Sequence, residues 1–155
     1  MNTEHIESIK SILEGIIRSM GLEGSIEYEE TITKGLVFNI FLGNDSYLLI
    51  GHRGAHLHML ETLVQAMIAR KFPGQFVRFS LDVDDYRQKR EWYIKETVKG
   101  AVLHMQKTGR GTALVPMPNY ERKLVHSYLQ DNFPTAVSTS LGVEPYRRVV
   151  IRMKK

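Results

Sequence analysis

The chain contains no cysteine, which removes disulfides, thiolate metal sites and cysteine nucleophiles together. It also has no apolar run approaching the ~18 residues that span a bilayer. Glu4 and Glu7 stand where a signal peptide needs positive charge followed by apolar residues. A soluble, cytoplasmic protein without a membrane segment is therefore expected. What is present is ordinary for a globular chain: 43% apolar and 25% charged residues. A length of 155 residues allows one domain of average size or two small ones, each with a real core.

The charge is unevenly placed. Through Asp82 there are 7 Lys and Arg against 10 Asp and Glu, net −3; from Val83 onward there are 14 against 7, net +7. Such a split points to two units of different electrostatics, with domains expected at 1–82 and 83–155. The overall charge of +4 admits a nucleic-acid partner without requiring one.

In chain order, Ile6, Ile9, Leu13, Ile16, Ile17 and Met20 form one stripe of a helix from about residue 3 to Gly21. Ile26 and Tyr28 alternate with glutamates, the Lys34-Gly35 pair marks a turn, and 36–42 is a dense apolar strand, so 25–42 reads as a hairpin. A short helix over about 45–50 follows. Leu57, Leu60, Leu63, Val64, Met67 and Ile68 then recur at helical spacing until Pro73-Gly74, and Val77, Phe79 and Leu81 alternate as a strand. The order is α-β-β-α-α-β. Beyond it a long helix over about 84–108 has Tyr86, Tyr93, Ile94, Val98, Ala101, Val102 and Met105 on its inner stripe and Asp84 as its cap. A strand at 112–115, a helix after Pro118 with Leu124, Val125, Tyr128 and Leu129 inside, and strands at about 135–140 and 147–152 complete a small sheet with two helices. The fold class is α+β.

Two motifs carry chemistry. Between the paired helices runs Ile50-Gly51-His52-Arg53-Gly54. Glycines two residues apart let the backbone turn tightly and approach another backbone closely. A helix start beside them favours an anion, and the intervening His52 and Arg53 add positive charge. A phosphodiester suits that geometry. In the second half Arg122 and His126 are four apart on one helix face, at the edge of its buried stripe. Side by side they make a two-point donor for a phosphate; an exposed arginine and a backbone-satisfied histidine is the plainer alternative.

Other groupings carry less. Asp82, Asp84 and Asp85 admit a magnesium ion, yet carboxylates at a helix start are favoured by capping and dipole alone. His52 and His56 lack a third metal ligand, because His58 points elsewhere on a helix. No cofactor is expected. Trp92 and Tyr93, within a helical stripe, are read as core, with base stacking as the alternative.

The order, the spacing and the Ile50–Gly54 motif resemble a type II KH domain over roughly residues 3–82. The resemblance implies a fold that binds single-stranded RNA, or single-stranded DNA, by clamping about four nucleotides of backbone on the Gly-x-x-Gly loop. His52 departs from the family's usual Lys or Arg, which makes that loop charge sensitive to pH. Met117-Pro118-Asn119-Tyr120-Glu121-Arg122-Lys123-Leu124-Val125-His126 resembles the Arg-x-x-x-His domain, a single-stranded nucleic-acid module. Glu144-Pro145-Tyr146-Arg147-Arg148-Val149-Val150-Ile151 resembles its closing strand. The resemblance assigns Ile50, Gly51, His52, Arg53, Gly54, Arg122, Lys123, His126, Arg147 and Arg148 to strand binding.

A type II KH domain followed by a linking helix and an Arg-x-x-x-His domain is similar to the bacterial Jag family, also called KhpB or SpoIIIJ-associated protein. Membership implies an RNA-binding protein without catalysis, a post-transcriptional regulator or RNA chaperone linked to cell growth and division. It also implies a small single-KH protein as partner. The family's N-terminal Jag domain is expected to be missing, since the first helix begins at about residue 3. Two other readings stay open: an adapter that uses the KH fold for dimerisation, and a metal-dependent nuclease built on the Asp82 region.

Overall fold

The computed structural model describes residues 3–31 and 35–154, so the Lys34 half of the expected Lys34-Gly35 turn lies outside the described residues. The chain divides into two compact units, Met1–Arg87 and Gln88–Lys155. Both mix helix and strand, as α+β requires.

The first unit comprises α1 (Thr3–Ser19), β1 (Ser25–Thr31), β2 (Gly35–Phe41), α2 (Ser46–Ile50), α3 (Ala55–Lys71) and β3 (Phe79–Val83). Its sheet has the order β1-β2-β3, with β1 antiparallel to β2 and β3 parallel to β2. Alternation in β2 sends Leu36, Phe38 and Ile40 inward, and Phe38 meets Phe79 edge to face with centroids 6.1 Å apart. Burying each such side chain contributes about 1.5–3 kcal/mol. Ile9, Leu13 and Ile17 of α1 and Leu57, Leu60, Val64 and Ile68 of α3 close the core over the sheet.

Three expectations need correction here. Met20 lies beyond α1 and is exposed, because the helix stops at Ser19. Leu63 and Met67 also face away from the core. Leu57, Leu60, Val64 and Ile68 already fill the inward stripe of α3, and with Met59 the two outer residues make a separate row at i, i+4 and i+8. Val77 precedes β3 and only packs against the core.

The second unit is built on α4 (Tyr86–Thr108, whose first two residues belong to the first unit), β4 (Thr112–Ala113), α5 (Asn119–Asn132), β5 (Ala136–Leu141) and β6 (Arg148–Met153). The strand order is β4-β6-β5, all antiparallel. Ile94, Val98, Ala101, Val102 and Met105 of α4 share a core with Val125 and Leu129 of α5 and with Val149 and Ile151 of β6. Two of the aromatic residues on α4 overturn the expectation for that helix: Trp92 is 65% exposed and Tyr93 54% exposed. Ile94 and Val98 take the core face, and Trp92 and Tyr93 sit two residues and one residue off it.

The start of α4 also differs from the expected Asp84 cap. The Oδ1 of Asp82 accepts from the backbone N–H of Arg87 and of Val83, while Asp84 accepts from Leu42 N–H and Asp85 from Asn39 Nδ2. Asp84 and Asp85 sit at φ +47° and +56°, the left-handed region that Asp tolerates better than most residues, so the chain turns there. Burial raises the Asp82 carboxyl above its usual range, opposed by those two amides and by the Arg87 charge. Each of the three carboxylates thus spends an oxygen on holding the fold. Among the described residues no three His, Asp or Glu side chains converge as a metal site, and no helix is long and apolar enough to cross a membrane.

Candidate nucleic-acid interface

In the first unit α2 ends at Ile50, whose side chain packs against the core, and the backbone reverses through a 3₁₀ turn over 52–54 before α3 begins. Gly51 has φ +66° and ψ −173°, a region open essentially to glycine alone. Gly54 has φ +80°, and a Cβ there would lie 2.8 Å from Cε1 of Tyr86. The sequence motif shows why the glycines must turn; the structure shows what presses on them. At Gly51 the neighbour is the His56 ring, held by a 2.9 Å hydrogen bond between Nδ1 and the Leu48 carbonyl, and a Cβ would come within 2.7 Å of that ring. His56 is thereby part of the turn's support, a role that its spacing alone did not disclose.

Between the glycines His52 is exposed and Arg53 half-buried. Arg53 adopts φ +52° and ψ +34°, a conformation costing an L-residue roughly 1–2 kcal/mol. A strained, positively charged residue thus stands between two glycines of positive φ.

In the second unit the structure gives Arg122 and His126 surroundings unlike those expected. Arg122 is not at the edge of the stripe: it is 5% exposed. Its Nη1 donates to the Met117 carbonyl at 2.7 Å and lies 2.7 Å from Oε1 of Glu144, while Nη2 reaches Oδ1 of Asn119 at 3.5 Å. The Arg147 carbonyl accepts from Met117 N–H at 3.1 Å. Arg122 therefore fastens the start of α5 to the segment carrying Glu144, Arg147 and Arg148. Arg147, Arg148 and Lys123, on the two segments that Arg122 joins, are exposed, and the counter-charge of Arg122, Glu144, is itself 58% exposed.

His126 lies one turn further along. One ring nitrogen is 2.6 Å from the Ser138 hydroxyl and the other 2.8 Å from the Ser140 hydroxyl, so the ring is pinned to β5 from both sides. The plainer alternative has a histidine held by backbone; the partners are instead serines two apart on one strand face. That alternation of Ser138 and Ser140 was the available signal, without meaning until the helix was placed over the strand. Beside the ring opens a cleft of about 430 Å³ lined by Gln130, Pro134, Val137, Ser138 and Lys154, among others.

Burial, and secondarily the Arg122 charge, lower the His126 pKa from its ordinary value. The fold thus favours the neutral ring, and between the lowered value and about 6.5 the unfolded chain binds more protons than the folded one. The stability that His126 contributes is fully present above about pH 6.5 and is lost as pH falls toward the folded value. Urea denaturation of wild type and His126→Gln at about pH 7.5 and 5.5 should show a steeper acid loss for wild type. Parallel losses would place the ring in the same environment folded and unfolded.

Sequence reasoning also missed Glu121. Its side chain is fully buried and accepts a two-point hydrogen bond from Arg90 of α4, Nε to Oε1 at 2.8 Å and Nη2 to Oε2 at 3.0 Å. The Arg90 guanidinium carbon in turn lies 5.3 Å from the centre of the Tyr93 ring.

Comparison with known families matches residues 94–153 to the Arg-x-x-x-His domain. Over 150 residues the chain is 33% identical to the RNA-binding protein KhpB of Clostridium symbiosum, an alignment covering 97% of this chain and 65% of that one. Over 151 residues it is 31% identical to the RNA-binding protein KhpB of Bacillus subtilis (strain 168), covering 97% and 71%. The match to the Lactiplantibacillus plantarum protein of the same name is 35% over 108 residues, 70% of this chain and 33% of that one. The chain thus spans just under two thirds of the Clostridium protein's length.

Proposed function

The chain belongs to the KhpB family, and from that premise we propose that it is a non-catalytic RNA-binding protein that grips a single strand at two places, the Gly51–Gly54 turn and the Arg122–His126 face. The first unit is read as a type II KH domain. Its α-β-β-α-α-β order, the antiparallel β1-β2 pair, the parallel β2-β3 pair and the glycine turn between α2 and α3 support that reading. The observation that carries the proposal is the anchoring of Arg122, which joins the start of α5 to the segment of Glu144 within the stretch that matches the Arg-x-x-x-His domain, with Lys123, Arg147 and Arg148 exposed on the two joined segments. Exposed cations meet the phosphates, and Arg122 contributes its charge and holds the two segments together. His126 presents a neutral ring beside the cleft at rest, so a phosphate seated there would favour its protonation. The wider role proposed is post-transcriptional, as regulator or RNA chaperone, with a small single-KH protein as partner.

Single-strand binding by the intact chain should weaken with salt, the log of affinity falling by about 0.7 per unit of log salt for each phosphate neutralised. A duplex of the same length should bind more weakly, because a KH groove takes splayed bases. No binding to any single strand at low salt would overturn the reading. An adapter function keeps one observation in its favour, the exposed row of Met59, Leu63 and Met67 on α3. A stable RNA-free dimer, abolished by Leu63→Lys without change in RNA affinity, would support it.

A further inference from the structure

The exposed indole of α4 has no part in the site described above, yet its surroundings are specific. Trp92 is the chain's only tryptophan, and it lies in the unit of higher positive charge, where Gln88–Lys155 holds 13 Lys and Arg against 5 Asp and Glu. At 3.6 residues per turn, Lys89, Lys99 and Leu103 lie within about 60° of Trp92 around the helix, and all are exposed. Glu96 pairs with Lys99 and Glu91 with Lys95, each at 2.6 Å on the exposed surface; such pairs are worth little in water, so a phosphate can displace Glu96 from Lys99. Tyr93, the next residue, carries the Arg90 guanidinium against its ring, and Arg90 is locked by the buried Glu121. Two large aromatic rings therefore stand in water on a rigid helix, one of them braced, with lysines alongside. A ring of this kind offers a flat apolar face and few rotatable bonds to freeze, and lysines beside it select a partner that is both planar and anionic. An unpaired nucleotide is such a partner. A duplex is not, because its base faces are already stacked.

We propose that Trp92, with Tyr93 beside it, is a stacking platform for unpaired bases of the single strand, and that Lys89 and Lys99 meet the adjoining phosphates. The platform rests on the single-strand reading above and adds a contact site that neither motif contains. It makes binding tolerant of sequence, since every base has a π-face.

The test uses the intact chain, a fluorescein-labelled oligouridylate to measure affinity by anisotropy, and the emission of Trp92, which no other indole obscures. The emission should be quenched saturably, with the same midpoint as the anisotropy, and an RNA duplex should quench it far less. Trp92→Ala should weaken binding about tenfold, the order expected for one stacked base, while Trp92→Phe should recover most of the loss. Circular dichroism should show both variants folded, as the side chain lies outside the core. Anisotropy that reports tight binding with unchanged Trp92 emission and wild-type affinity for Trp92→Ala would overturn the platform and leave the single-strand reading standing. Equal quenching by the duplex would also overturn it, since the indole would then be sensing nearby charge. No anisotropy change at low salt would overturn both.

Discussion

Replacing Glu121 by alanine is expected to destabilise the second unit by about 3–5 kcal/mol, the usual cost of stranding one member of a buried ion pair. The side chain is wholly buried, and the Arg90 side chain that grips it is only 18% exposed. A guanidinium stays charged at any working pH. Arg90 would then keep its charge with little water and without its two-point Glu121 partner. A unit of this size has a total stability of a few to about 10 kcal/mol, so the variant should be largely unfolded or close to it. Urea denaturation of the full chain can be followed through the NMR amide signals of each unit. Those of the second unit should be lost at low urea while those of the first stay where they were. Glu121→Gln, which keeps the shape and one acceptor, should lose less. The pair Arg90→Met with Glu121→Leu should recover much of the loss, because no charge is then stranded. A loss below about 1 kcal/mol for the alanine variant would mean that water reaches Arg90 in the folded chain.

The same pair shows where the sequence stops being legible. Elements read from period were found: the hairpin from alternation in 25–42, α3 and α5 from their apolar spacing, and the closing strands from Val and Ile runs. Period says how wide an apolar stripe is, but it does not say which side of a rich helix meets the core. On α3, where Leu57, Leu60, Leu63, Val64, Met67 and Ile68 could all be inside, packing chose four and left Leu63 and Met67 in water. On α4 the same ambiguity hid Trp92 and Tyr93. Partnerships across long separations were invisible for a different reason. Glu121 with Arg90, Arg122 with Glu144 and His126 with Ser138 and Ser140 are set by how helices lie on one another and on the sheet, and each polar residue looks solvent-facing when read alone. The Gly-x-x-Gly turn was legible because its signal is local: positive φ at Gly51 and Gly54 is a demand of the backbone itself.

That local demand makes the turn the cleanest place to separate binding from folding. Changing His52 and Arg53 together to Asp should weaken single-strand affinity by about 1–3 kcal/mol, since favourable charge on a phosphate is removed and repulsion put in its place. The turn should survive. The glycines that set its path are untouched, His52 is exposed, and position 53 sits at φ +52°, where Asp is better tolerated than Arg. Backbone strain should therefore fall slightly rather than rise, and an unchanged or higher melting temperature would certify the comparison. The salt dependence adds a second readout. If Arg53 neutralises one phosphate, the slope of log affinity against log salt should become shallower by about 0.7, the single-strand value for one phosphate. A folded variant with wild-type affinity and slope would take the Gly51–Gly54 turn out of the binding mechanism. All strand contact would then fall to the second unit, and the same measurement on Lys123→Glu with Arg147→Glu should show the full loss that the turn did not.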